Sequence, residues 1–157
     1  MNNRRRDVLK TGSGMTLLAL IAAAGWLKPG TVSAQAWNKN AFDAKTMDET
    51  MKAFGGGAPA QSKDITFVST PDIAENGAVV PIGVASALPK TESIAILIEK
   101  NPNMLAANFD IPAGTDPSIS TRVKMGQSSN VYALVKADGK YYVASKEIKV
   151  TLGGCGG

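Results

Sequence analysis

Apolar side chains recur at every second position through most of the chain after residue 64. Ile65 and Phe67; Val80, Ile82 and Val84; Leu105, Ala107, Phe109 and Ile111; Ile119, Thr121, Val123 and Met125; Val131, Ala133 and Val135; and Ile148, Val150 and Leu152 alternate with other residues in short runs. That is the period of a strand with one face buried. Ser118, Ser120, Arg122 and Lys124 fill the intervening positions of one run and predict a wet outer face there. Ile94-Ala95-Ile96-Leu97-Ile98 is apolar at every position and predicts the strand that lies deepest. Turn formers separate the runs at Glu75-Asn76-Gly77, Asn101-Pro102-Asn103, 112–117 and 126–129. Asp138-Gly139 suits the tight primed turn of a hairpin between 131–137 and 140–144. Pro81 inside a strand pattern implies an edge or a bulge. About seven strands at this spacing predict a mainly β fold, an antiparallel sandwich of immunoglobulin-like type.

Ahead of these runs the period is helical. Ala44, Met47, Met51 and Phe54 recur at spacings of three and four, Asp43 and Asp48-Glu49 lie toward the front, and Gly55 supplies a stop, which predicts one short helix over 42–54. Its Met and Phe stripe is ordinary packing, and the helix is expected to dock on the sandwich. Gly55-Gly56-Gly57-Ala58-Pro59 then breaks the pattern as a linker.

The first residues carry a different signal. Arg5-Arg6-Asp7-Val8-Leu9-Lys10 is a twin-arginine run, followed by an apolar stretch over 15–27 and the small-residue site Ala34-Gln35-Ala36. This order fits a bacterial twin-arginine export signal cleaved before Trp37. The apolar stretch falls short of the roughly 20 residues a membrane span needs. The expected organisation is therefore an export signal over 1–36, a helix and linker over 37–57, a β-sandwich over 58–152 and a tail over 153–157, with the mature protein in the periplasm and no membrane contact after cleavage.

Removing the leader changes the charge. Of the 17 Lys and Arg and 13 Asp and Glu, the leader holds five (Arg4, Arg5, Arg6, Lys10, Lys28) and one (Asp7), so the remainder has twelve of each and a formal net charge of zero. The basic character of the whole chain belongs to the signal, and nothing in the mature part favours nucleic acid.

The tail, Gly153-Gly154-Cys155-Gly156-Gly157, holds the only cysteine of the chain. Exported proteins usually use cysteine in pairs, so a lone thiol points to an intermolecular bond or to a thiol with a task of its own. If 148–152 is the last strand, three residues put that sulfur on the order of 10 Å beyond it, and glycines without Cβ atoms suit a narrow channel in another protein. The chain has no histidine, which removes the commonest general base, the commonest metal ligand and any Cys–His pair. No Lys or Arg follows Lys149, so nothing adjacent in sequence favours the thiolate, and a thiol near its reference pKa of about 8.5 is only a few per cent ionised at neutral pH. These features predict no metal or organic cofactor and no catalytic residue able to turn over alone. Other proteins would act on the thiol.

The chain resembles the SoxY family, the sulfur-carrying subunits of the bacterial thiosulfate-oxidising (Sox) system. The resemblance is carried by the leader, by Thr70-Pro71-Asp72-Ile73-Ala74-Glu75-Asn76-Gly77-Ala78-Val79-Val80-Pro81, by Ile98-Glu99-Lys100-Asn101-Pro102-Asn103, and by the terminal Gly-Gly-Cys-Gly-Gly. It implies a covalent carrier, with Cys155 as the attachment point for sulfur species and Gly153, Gly154, Gly156 and Gly157 as a flexible swinging arm. It also implies a SoxZ-type subunit as heterodimer partner. Transient docking would follow with a cytochrome c complex that joins thiosulfate to the thiol, a hydrolase that releases sulfate and, in some organisms, a sulfur dehydrogenase. Two other classes stay open on the residues themselves: a secreted interaction module with an incidental cysteine, and a small redox enzyme, which would need an activating base or a resolving cysteine that the sequence does not supply.

Overall fold

The computed structural model describes residues 38–151. Two short helices precede nine strands: α1 (Lys39–Asp43), α2 (Met47–Ala53), β1 (Ala60–Gln61), β2 (Ile65–Val68), β3 (Ile73–Ala74), β4 (Val80–Ser86), β5 (Thr91–Ile98), β6 (Leu105–Asp110), β7 (Ser118–Val123), β8 (Ser129–Ala137) and β9 (Lys140–Val150). One sheet runs β1-β9-β8-β5-β6, with β3 also on the outer side of β9, and the other runs β2-β4-β7. Pairing is antiparallel except for the two-residue strands β1 and β3, which lie parallel to β9.

The two sheets face each other as the alternation predicts. Ile94, Ile96 and Ile98 of β5, Val131, Ala133 and Val135 of β8 and Ile148 of β9 meet Ile65 of β2, Val80, Ile82 and Val84 of β4 and Val123 of β7 in one core. The mainly β sandwich expected from the sequence is the fold found.

The apolar run in β5 has two destinations. Its alternate residues Ala95 and Leu97 point to the opposite face and join Leu134, Val143, Met104 and Leu105 under Ala41 and Met51 of the helices. A strand between two covered faces has no wet side, which is why all five residues from Ile94 to Ile98 are 2% exposed or less.

The expected single helix over 42–54 is two. Ala44 takes an extended ψ of 137° and ends α1, and Thr46 then caps α2, its hydroxyl accepting the Glu49 amide. The Glu49 carboxylate returns to the Lys45 amide at 2.8 Å. Together the two bonds make a variant of the capping box, the carboxylate taking the amide of the residue before the cap, on the sequence pattern Thr46-x-x-Glu49. The break turns Ala41 and Met51 onto the same sheet surface. The glycines after α2 are packed as well as permissive: Gly55 has φ +71° and closes the helix, while a Cβ on Gly56 would stand 2.5 Å from the Tyr141 ring.

Asp138 and Gly139 both adopt left-handed φ, 48° and 72°, the primed turn predicted between β8 and β9. The two expected segments 140–144 and 148–152 form one strand through Val150, paired with β8 from Ala137↔Lys140 to Ser129↔Ile148. Pro81 pairs with Arg122 of β7, but β2 stops at Val68↔Gly83, so Pro81 has a strand on one side only, as its missing N–H requires. Strand β7 ends at Val123, and Met125, expected as its last residue, is fully buried in the core from a loop.

Candidate functional site

Cys155, Gly153, Gly154, Gly156 and Gly157 lie outside the described residues, as do the leader and Leu152. The structure does describe the place from which the tail departs. Strand β8 contributes its last pair at Ser129↔Ile148, yet β9 continues beyond it, so Lys149, Val150 and Thr151 must find their hydrogen bonds elsewhere.

They find them on both sides. Toward the outer edge, the Lys149 amide donates to the Asp72 carbonyl at 2.9 Å and the Thr151 amide to the Ala74 carbonyl at 3.1 Å. The Thr151 hydroxyl donates to the Glu75 carbonyl at 3.3 Å. Toward the inner side, the Val150 amide donates to Ser128 Oγ at 2.9 Å.

The segment that supplies the outer acceptors, 70–77, is a strap between the two sheets. At its start the Thr70 hydroxyl accepts the Gly83 amide of β4 at 3.0 Å. Lys146 Nζ donates to the Thr70 carbonyl at 2.6 Å and pairs with Asp72 Oδ1 at 3.0 Å. Asp72 is 87% exposed, so water screens the ion pair and the ammonium-to-carbonyl bond is the firmer tie. At the other end the Met125 amide donates to the Gly77 carbonyl at 2.7 Å. Gly77 is required there, since a Cβ would stand 2.5 Å from the Met125 carbonyl oxygen and 2.8 Å from Val150 Cγ1.

The loop after β5 closes the same end of the molecule. The Lys100 amide donates to Ser129 Oγ at 3.0 Å, and Asn101 Nδ2 donates to the Lys124 carbonyl at 2.8 Å. Both internal segments quoted above, 70–81 and 98–103, thus converge where β9 leaves the sheet. Val68, Ile73 and Val79, the large hydrophobics that stay exposed among the described residues, fall within or beside the strap. The sequence carried these residues openly, but their common role was not readable, because β3 pairs only through tertiary context.

Two open grooves, about 740 and 540 Å³, lie toward the opposite end, beside the Asp138-Gly139 turn and the start of β5. Among the described residues no group of His, Cys, Asp and Glu is arranged to hold a metal ion. What the geometry offers is a fixed point at Thr151 and four further residues to a thiol.

The sulfur oxidation protein SoxY family model matches residues 50–155, a span that takes in the strap and Cys155. The chain belongs to the SoxY family. A solved SoxY, the sulfur carrier protein of Chlorobium limicola f thiosulfatophilum, is 36% identical with a TM-score of 0.61, the match covering 69% of this chain and 97% of that one. The human F-spondin reeler domain is 9% identical at a TM-score of 0.40, covering 61% of this chain and 94% of its own, and adds nothing to the SoxY assignment. No curated protein matches the chain at a significant level.

Proposed function

We propose that this SoxY protein is a covalent carrier of sulfur intermediates in periplasmic thiosulfate or sulfur oxidation, and that it is acted on by partner enzymes and does not turn over alone. Cys155 is the attachment point, and Gly153, Gly154, Gly156 and Gly157 form the arm that presents it. Family membership supports the carrier role. The observation that carries the site assignment is the secured end of β9 at Thr151, four residues before the only thiol of the chain.

The chemistry fits a thiol with no neighbouring base of its own. Joining thiosulfate to the Cys155 sulfur forms one S–S bond, releases the thiol proton and removes two electrons, which a c-type cytochrome partner accepts. Hydrolysis of the terminal sulfone then yields sulfate and leaves a persulfide on Cys155 with no further electron transfer. Where a sulfur dehydrogenase is present it accepts six electrons from that sulfane sulfur, three waters supply the oxygens of a second sulfone, and its hydrolysis returns the free thiol and sulfate. No other cofactor is needed on the carrier. A SoxZ-type subunit completes the heterodimer, and the twin-arginine leader over 1–36 takes the folded protein to the periplasm.

The test is mass analysis of the C-terminal peptide from protein isolated out of thiosulfate-grown cells, together with a Cys155→Ser variant. Adducts of thiosulfonate or persulfide mass confined to Cys155, and loss of thiosulfate-dependent growth in the variant, are expected. An unmodified Cys155, or growth undiminished by the serine, would overturn the reading.

A further inference from the structure

Resting on that carrier reading, we infer that the 70–77 strap is a positioning device that sets the pivot of the arm at Thr151, with Lys146 and Thr151 as the side chains that hold it closed. Without the strap, the regular ladder of β9 would end at Ile148, where β8 ends. The free length before the sulfur would then grow from four residues, after Thr151, to as many as seven, after Ile148, with only the Val150 amide on Ser128 Oγ still holding the chain between them.

The difference is large for a tethered group. The volume a tether can sweep scales with the cube of its reach, so going from four to seven residues enlarges it about fivefold for a fully extended arm and about twofold for a coil. The local concentration of the thiol at any docked active site falls by the same factor. Four residues cap the distance from Thr151 to the Cys155 Cα at roughly 14 Å, so a partner that takes the thiol must come within that distance of the strap.

The bonds that hold the pivot are of two kinds. The amides of Lys149 and Thr151 use carbonyls of the strap, so they protect the chain only while the strap is in place. The strap is kept in place by Thr70 on β4, by the Gly77–Met125 bond and by the Lys146 ammonium on the Thr70 carbonyl. Lys146 stands at an inward-alternating position between Ala144 and Ile148, both packed on the main core. Its stem crosses the sheet edge and its charge ends on the strap, which is a demanding place for a lysine without such a partner.

Two measurements on the full chain test the assignment. Hydrogen exchange of the unaltered protein should show the Lys149 and Thr151 amides protected at least about tenfold over an unstructured peptide. In Lys146→Met/Thr151→Val, which removes the ammonium and the hydroxyl but keeps both stems, that protection should fall while the amides of β5 stay protected. Because Cys155 is the only native cysteine, one nitroxide can be placed on it and a second on Lys140→Cys at the far end of β9. The distance distribution should widen toward shorter distances in the double variant, since a released strand folds back but cannot reach farther than an extended one. Lys146→Arg/Thr151→Ser retains both donors and should keep the narrow distribution. Unprotected Lys149 and Thr151 amides in the unaltered protein, an unchanged distribution in the first variant, or equal broadening in the second would each overturn the strap assignment. None of these readouts depends on thiosulfate, so a failure here is separable from a failure of the carrier reading.

Discussion

Gly77 and Met125 are locked against each other beside the end of β9. The Met125 amide donates to the Gly77 carbonyl at 2.7 Å, and the space a Cβ on Gly77 would fill lies 2.5 Å from the Met125 carbonyl oxygen. Backbone occupies that space, so no rotamer change can clear it. Gly77→Ala is therefore expected to destabilise the protein by about 1–3 kcal/mol, the usual range for overpacking, measured by urea denaturation. A loss below about 0.5 kcal/mol would show that the contact relaxes freely.

Leu97 tests the second layer. It is fully buried and joins Leu134, Val143 and Met104 beneath Met51 and Ala41, so truncation opens a cavity between β5 and the helices. Leu97→Ala should cost about 2–5 kcal/mol, and exchange protection in α2 should fall more than protection in β4 on the far sheet. Equal loss in both would mean that the helices and the sandwich open as one unit.

The strands that could be read from the sequence were those whose neighbours are supplied by local alternation. Residues 94–98, the Asp138-Gly139 turn and the wet face of β7 each follow from period and turn chemistry, and the structure places them as expected. The unbroken course of β9 did not follow, because Lys146 interrupts the apolar alternation between Ala144 and Ile148. The strand continues there since the ammonium leaves the core for the Thr70 carbonyl, a partner 76 residues away in the chain. Strands β1 and β3 have two residues each and exist only as ribbons along β9. The break between α1 and α2 was legible in principle, since Thr46-x-x-Glu49 is the sequence pattern of a capping box, but the 3–4 spacing of Ala44, Met47, Met51 and Phe54 runs across it. Of the proposed site, the cysteine stood out by its isolation in the sequence, whereas the strap beside the end of β9 required the fold.

Acid should weaken the hairpin end. Glu92 accepts a hydrogen bond from Lys136 Nζ at 2.7 Å and another from the Gly139 amide at 2.8 Å, and these, the lysine first, hold its carboxyl below the ordinary value of 4.5. A carboxylate with a lowered pKa in the folded state contributes stability that is present above its unfolded value and is lost as pH falls through the folded one. Glu92→Gln should thus lower the urea midpoint slightly at pH 7, and the gap to the parent protein should close at pH values well below 4.5. The side chain is solvent-exposed, so the effect is small and should shrink further in high salt. A gap that persists unchanged in acid would assign the effect to packing.

Two truncations separate the fold from the tail. The hydrogen bonds that tie β9 into the molecule run as far as Thr151, so ending the chain after Thr151 should change stability by no more than about 0.5 kcal/mol, the usual span for a change away from the packed structure. Ending it after Ile148 removes the bonds from the Lys149 and Thr151 amides to the Asp72 and Ala74 carbonyls, from the Val150 amide to Ser128 Oγ and from the Thr151 hydroxyl to the Glu75 carbonyl, together with the half-buried Val150. At about 0.5–1.5 kcal/mol net per bond, that cut should cost about 2–4 kcal/mol. Both truncated proteins lack Cys155 and should carry no sulfur, so the step in stability between them measures the root of the arm independently of what the arm carries. A stability loss already complete in the protein that ends at Thr151 would place part of the fold's support beyond Thr151, and the pivot with it.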